Sequence, residues 1–137
     1  MIARSFLDSN ILVYTDDLDY PKKRRVANEL VQQARLEGAG VVSSQVLQEY
    51  FVVATRRLGV DTVLARRKVE LFGRFDVVTL TLDHILGAID LLRLHQLSFW
   101  DALVVRAAAD AGCSVLYSED MQHGFRFAGL EIVNPFA

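Results

Sequence analysis

The chain has 137 residues, the length of one ordinary domain, enough to bury roughly two thirds of the surface its unfolded form exposes. Its 52% hydrophobic and 23% charged content excludes a disordered chain, and no window approaches the run of about 18 apolar residues that a spanning helix needs. A net charge of −2 weighs against a general nucleic-acid binder, since such domains are usually basic.

Short β-rich runs alternate with longer helical patterns, with no Gly/Ser/Pro-rich linker and no internal repeat, so residues 1–137 are expected to form a single α/β unit. Ile2 to Leu7 reads as the first strand. No apolar h-region or small-residue cleavage site accompanies it, and a cytoplasmic location is expected. Asp16, Asp17 and Asp19 before Pro21 read as a solvated turn at a helix start. Val26, Ala27, Leu30, Val31 and Ala34 form the stripe of an amphipathic helix, ended by Gly38 and Gly40. Val41-Val42 is a short second strand, and Ser43-Ser44 offers an N-cap to a helix carrying Val46, Leu47, Tyr50, Phe51 and Ala54, closed by Gly59. A helix over Thr62 to Phe72, a strand over Asp76 to Leu80 and a helix with Leu82, Ile85, Leu86, Ile89 and Leu92 on one face follow. Ser98 caps a further helix through Ala111, Gly112 ends it, and Ser114 to Tyr117 and Leu130 to Val133 complete the strands. Cys113 has no second cysteine to pair with and reads as a small buried apolar residue. The alternation implies a central, mostly parallel sheet of about four or five strands with helices on both faces.

In such sheets ligands bind at the carboxyl ends of the strands. Asp8 directly follows the first strand, Asp120 follows Tyr117 by three residues, Glu49 lies about a turn and a half into the helix leaving the second strand, and Asp101 sits three residues after Ser98. Each has an ordinary alternative. Asp101 could complete a capping box, and Asp8 and Asp120 could be turn residues. Glu49, among Val46, Leu47, Tyr50 and Phe51, is harder to excuse, because a charge placed near a core needs a partner. No basic set falls at the same edge, so the partner is expected to be a cation from solution. Two like charges about 4 Å apart repel by about 4 kcal/mol at an effective dielectric of about 20. All-oxygen ligation suits Mg²⁺ or Mn²⁺, and such an ion at a phosphate points to phosphodiester hydrolysis.

The four strings Phe6-Leu7-Asp8-Ser9-Asn10-Ile11-Leu12, Ser43-Ser44-Gln45-Val46-Leu47-Gln48-Glu49-Tyr50, Leu97-Ser98-Phe99-Trp100-Asp101-Ala102-Leu103 and Leu116-Tyr117-Ser118-Glu119-Asp120-Met121-Gln122-His123-Gly124 together resemble the PIN domain, in order and over nearly the whole chain. The domain's length and the opening Asp8-Ser9-Asn10-Ile11 favour the VapC type, the toxin of a type II toxin–antitoxin pair. The resemblance implies a Mg²⁺- or Mn²⁺-dependent endoribonuclease, a homodimer held inactive by a cognate antitoxin. Its metal acids match Asp8, Glu49, Asp101 and the more variable Asp120, and the polar residues that orient them match Ser9, Asn10 and Ser118. Asn10 could instead cap the following helix, and Glu119 could take the place of Asp120, although the Ser-x-Asp arrangement selects Asp120 through Ser118. An apolar antitoxin tail with a basic residue would lie over the acids.

Lys22, Lys23, Arg24 and Arg25, with Arg66, Arg67 and Lys68, are bunched positives that read first as solvated helix faces and second as RNA contacts; Arg56-Arg57 is a third bunch. Trp100 could stack on a base and Phe99 reads as core. His123 reads as a surface or supporting residue, and His84 and His95 as structural. A haloacid-dehalogenase-like phosphatase would need an Asp where Asn10 stands, and a receiver domain would need paired acids after the first strand and a lysine near the last. A non-catalytic PIN module is the remaining alternative, disfavoured by the intact acidic set.

Overall fold

The computed structural model describes residues 3–137. The first strand, β1 (Ser5–Leu7), is followed directly by α1 (Ser9–Tyr14), then α2 (Pro21–Glu37), β2 (Gly40–Ser43), α3 (Ser44–Arg56) and α4 (Thr62–Phe72). Next come β3 (Asp76–Val78), α5 (Leu82–Leu94), α6 (Phe99–Asp110), β4 (Val115–Tyr117), β5 (Arg126–Phe127) and β6 (Leu130–Val133). The strands form one sheet in the order β3-β2-β1-β4-β6-β5. All pairs are parallel except the β5–β6 hairpin, which adds a sixth, two-residue strand to the five expected. The start of the first strand at Ile2 lies outside the described residues.

The central pair is β1 with β4, in register Ser5 to Val115 and Leu7 to Tyr117. From β1 the chain winds outward to β2 and β3, then returns to the opposite side of β1 as β4. Connections therefore diverge on either side of β1, and a crevice opens at the carboxyl ends of β1 and β4. Phe6, Leu7, Val41, Val42, Leu116 and Ile132 supply the buried strand positions, against Ala27 and Val31 of α2, Val46, Tyr50 and Ala54 of α3 and the small residues of α6.

Two helices depart from the pattern read in the sequence. Ile11, Leu12 and Val13 of α1 are all buried, so this one-and-a-half-turn helix shows no amphipathic period, and its N-cap is Asp8 rather than Asn10. In α5 the face turned inward is Gly87, Ala88 and Leu91, while Leu82, Ile85, Leu86 and Ile89 are exposed. Small residues let α5 approach α6 closely: a Cβ on Gly87 would lie 2.6 Å from Arg106 Nε. The apolar stripe of α5 is thus an unpartnered outer surface. Gly38 ends α2 in the left-handed region (φ 64), whereas Gly40 opens β2 because the Phe75 ring lies against it, 2.6 Å from where a Cβ would stand.

The acidic run before Pro21 is a turn at the start of α2, as expected, but only Asp19 of the three is exposed. Asp16 accepts hydrogen bonds from Tyr50 Oη (2.5 Å) and Lys68 Nζ (2.9 Å), and Asp17 is buried, accepting from Asp19 N. Tyr50 is fully buried, and burial together with the Asp16 carboxylate holds its hydroxyl protonated far above the usual range. These contacts tie the α1–α2 loop to α3 and α4. Cys113 is buried as expected, and burial pushes its thiol up to about 11.

The two-residue turn Ala128-Gly129 joins β5 to β6, and both residues have positive φ (49 and 82). That geometry suits Asn or Gly at the first position; alanine pays a steric penalty there. Ala128 is exposed, so replacement meets nothing. Ala128→Asn is expected to stabilise the protein by about 0.5–1 kcal/mol in urea unfolding. A neutral or negative change would mean the hairpin is not held in this turn.

Candidate acidic centre at the β1–β4 crevice

Asp8 leaves β1 in extended conformation (φ −72, ψ 162), its N–H donating to Tyr117 O across the sheet (3.1 Å). Asp8 is 5% exposed. Oδ1 accepts from Ser9 N (2.7 Å), and Oδ2 accepts from Ser118 Oγ (2.8 Å) and more distantly from Asn10 Nδ2 (3.4 Å). Asn10 is the cross-piece of the site: Nδ2 also donates to Asp120 Oδ2 (3.2 Å), and Oδ1 accepts from Glu119 N (3.2 Å). One amide therefore joins the acid after β1 to the acid after β4.

Glu49 is half-buried on α3, where Gln45 Nε2 reaches its Oε2 (3.5 Å) and also donates to Trp100 O (3.2 Å). Gln45, which sequence reasoning passed over as an N-terminal helix residue, thus links α3 to the first turn of α6, where Asp101 sits. The only signal that could have singled it out is its i to i+4 spacing from Glu49. Ser98 caps α6 as expected, its Oγ accepting from Asp101 N (3.0 Å).

Burial and mutual repulsion raise three of these carboxyl groups. Asp8 is pushed up to about 6, first by burial, against the Ser118 and Ser9 hydrogen bonds, with Glu49 and Asp101 adding to the rise. Glu49 is raised by burial and by Asp101, with Gln45 and Ser9 pulling the other way. Asp101 is raised by burial and by the charge of Asp120. The groups felt by each acid are acids or neutral donors, and no cation offsets them.

Glu119 and Asp120 point to different sides. Tyr14 Oη and Lys23 Nζ donate to Glu119 (2.5 and 2.6 Å), and although burial would raise that carboxyl, these two partners hold it below its ordinary range. Asp120 is the one that faces Asn10 and Asp101. The crevice continues into two clefts that share Asp120. One, of about 200 Å³, runs past Asn10 and Val53 to Arg57; the other, of about 410 Å³, runs past Asp101 to Gln96, Gln122 and Phe125.

The basic residues divide. Lys23 is committed to Glu119 and Lys68 to Asp16, while Lys22 and Arg25 are exposed and Arg24 is half-buried. Arg66 and Arg67 share Glu70 in exposed pairs of the kind that hold weakly. Trp100 is 62% exposed beside the acids, its ring edge-on to half-buried Phe99 at 5.2 Å. The histidines serve structure: His84 Nδ1 accepts from Thr81 N at the start of α5, His95 packs on Phe125 and Phe127, and His123 Nδ1 accepts from Asn134 N.

Chemically the donor set fits a hard divalent ion: oxygen donors only, raised carboxyl groups, and the buried Gln45 Oε1 without a hydrogen-bond partner among the described residues. As they stand, no three such side chains among the described residues are grouped closely enough to ligate one ion together.

Among curated proteins none is significantly similar in sequence. Three solved structures share the fold at low identity. VapC20 of Mycobacterium tuberculosis, a Sarcin-Ricin loop cleaving toxin, is 21% identical with a TM-score of 0.65, over 85% of this chain and 89% of that one. A toxin–antitoxin complex from Klebsiella pneumoniae is 19% identical with a TM-score of 0.67, over 96% and 97%. VapBC2 of Rickettsia felis, bound to a DNA fragment from its promoter, is 17% identical with a TM-score of 0.62, over 93% and 96%. The profile of the PIN domain matches residues 5–126, from β1 to the start of β5 and across all four acids, and the chain belongs to the PIN domain family.

Proposed function

We propose that the chain is a Mg²⁺- or Mn²⁺-dependent endoribonuclease, the toxin of a toxin–antitoxin pair. The observation that carries this reading is the gathering of Asp8, Glu49, Asp101 and Asp120 at one crevice, where the carboxyl groups of Asp8, Glu49 and Asp101 are raised by burial and by one another or by Asp120. Those four residues would hold the ion, which when bound supplies charge stabilisation at a phosphodiester and an activated water. Ser9 and Ser118 fix the Asp8 carboxylate, Asn10 fixes Asp120 relative to it, and Gln45 sets Glu49 against the start of α6. These neutral donors orient the acids without cancelling the charge an ion needs. Lys22, Arg24, Arg25, Arg66 and Arg67 would contact the RNA backbone, and Trp100 would stack on a base.

The toxin part of the reading is supported by the fold shared with VapC20 and with the two toxin–antitoxin complexes. It is further supported by two exposed apolar surfaces. Leu82, Ile85, Leu86 and Ile89 on α5 suit a second copy of the chain, and the groove between α3 and α4 at Leu47, Phe51, Val52 and Val69 suits an apolar antitoxin segment. No helix among the described residues is long and apolar enough to cross a membrane, and the proposed location is the cytoplasm.

Cleavage of single-stranded RNA is expected to stop in EDTA, to return with Mg²⁺ or Mn²⁺, and to leave 5′-phosphate and 3′-hydroxyl ends, because attack by water spares the 2′-OH. End-labelled products resolve this, and 2′,3′-cyclic phosphates or cleavage in EDTA would overturn the reading. Asp101→Asn is expected to slow cleavage by more than the roughly hundredfold that loss of a supporting hydrogen bond costs a metal site.

Stability should move the other way. A carboxyl raised from 3.8 to about 6 binds its proton more tightly when folded, so its contribution is full below about pH 4 and is lost as pH rises through 6. Without metal, Asp8→Asn is expected to gain on the parent by on the order of 3 kcal/mol between pH 4 and pH 7, measured by urea unfolding, and Mg²⁺ should close the gap. A pH-independent gap would mean Asp8 is not raised in the fold.

A further inference from the structure

Of the two clefts that meet at Asp120, only one is lined by a cation. Arg57, at the C-terminus of α3, borders the smaller cleft and has no carboxylate partner within salt-bridge distance among the described residues. A phosphate is matched on that side. The larger cleft is lined by no Lys or Arg and holds two acids of the centre, so away from an ion held by those acids it offers a second phosphate no side-chain cation.

Its lining suits an uncharged, flat, hydrogen-bonding group instead. Leu97, Met121 and Phe125 give an apolar floor, and the amides of Gln96 and Gln122 border it with no side-chain hydrogen-bond partner among the described residues. Phe125 is held firmly: its carbonyl accepts from Ile132 N (2.9 Å), the neighbouring Gly124 N donates to Ile132 O (2.8 Å), and the His95 ring stands edge-on to it at 5.2 Å. A primary amide donates and accepts together, which is what the edge of a nucleobase requires, and single-stranded RNA is read by splaying bases out against aromatic rings. The volume of about 410 Å³ lies within the range of small-ligand sites.

We propose that the cleft between the α5–α6 connection and the Met121–Phe125 loop is a nucleobase subsite, in which Gln96 and Gln122 select the base next to the scissile phosphate. The proposal rests on the ribonuclease reading above. It makes the enzyme sequence-selective at one position beside the cut and assigns the opposite, Arg57 side to backbone contact without sequence information.

The test has two arms on the full chain. In the first, an RNA pool randomised in a single-stranded segment is cleaved with Mg²⁺ or Mn²⁺ and the new ends are sequenced. The parent is expected to favour one base at one position flanking the cut, and the double variant Gln96→Ala, Gln122→Ala to flatten that preference by about tenfold. Arg57→Ala is expected to weaken action on all sequences alike, with a shallower salt dependence and the preference intact. In the second arm, Asp8→Asn protein binds fluorescent homo-oligomers of the four ribonucleotides, with and without the two glutamine substitutions. Affinities that differ among bases, and converge in the double variant, support the subsite whether or not cleavage occurs. No base preference in the parent in either arm, or a preference that survives loss of both glutamines, overturns it. A chain that distinguishes bases but never cuts RNA would instead refute the ribonuclease reading and leave the subsite standing.

Discussion

Everything at the functional edge follows from like charge held together by neutral donors. Four carboxylates drawn from the ends of β1 and β4, the second turn of α3 and the first turn of α6 repel one another, and no cation is among the groups that shift Asp8, Glu49 and Asp101. What keeps them in place is a small set of hydroxyl and amide groups: Ser118 and Ser9 on Asp8, Asn10 between Asp8 and Asp120, Gln45 on Glu49. Had a lysine taken the position of Asn10, the cluster would be more stable and less able to attract an ion. Neutral donors preserve the attraction while fixing the geometry.

The frame around that edge uses charge in the opposite manner. Glu119, one residue from Asp120, is satisfied by Lys23 and Tyr14, and Asp16 by Lys68 and Tyr50. Both are complete, partly buried clusters that tie α2 and α4 to the loops carrying the site. An acid close to the crevice is therefore not by itself one of the uncompensated set.

Much of this was legible beforehand, and the exceptions share a cause. Strands in a parallel sheet are buried on both faces, so their apolar runs were visible, and acids immediately after such runs fall at the carboxyl edge by topology. Asp8, Asp101 and Asp120 needed no side-chain information to place. Helix α1 was expected only as something Asn10 might cap, and its bounds were not legible because burial of Ile11, Leu12 and Val13 in succession removes periodicity. The one-sided stripe of α5 was legible but not which way it turns: Gly87 and Ala88 pack closely against α6 and leave the large residues outside. Asp16 looked like a turn residue because its partners, Tyr50 and Lys68, lie 34 and 52 positions away. Local pattern carries element type and edge; pairing at long range is invisible to it.

The register of the central strands sets when this edge of the fold can form. Ser5 lies beside Val115, and Asp8 takes a hydrogen bond from Ser118, each across 110 positions of sequence. During synthesis the first strand leaves the ribosome long before its central neighbour exists, and β1 can pair with β2 alone in the meantime. Neither the switch point nor the acidic centre can assemble until almost the whole chain has emerged. At the 5–20 residues per second typical of translation, several seconds separate the first of the four acids from the last.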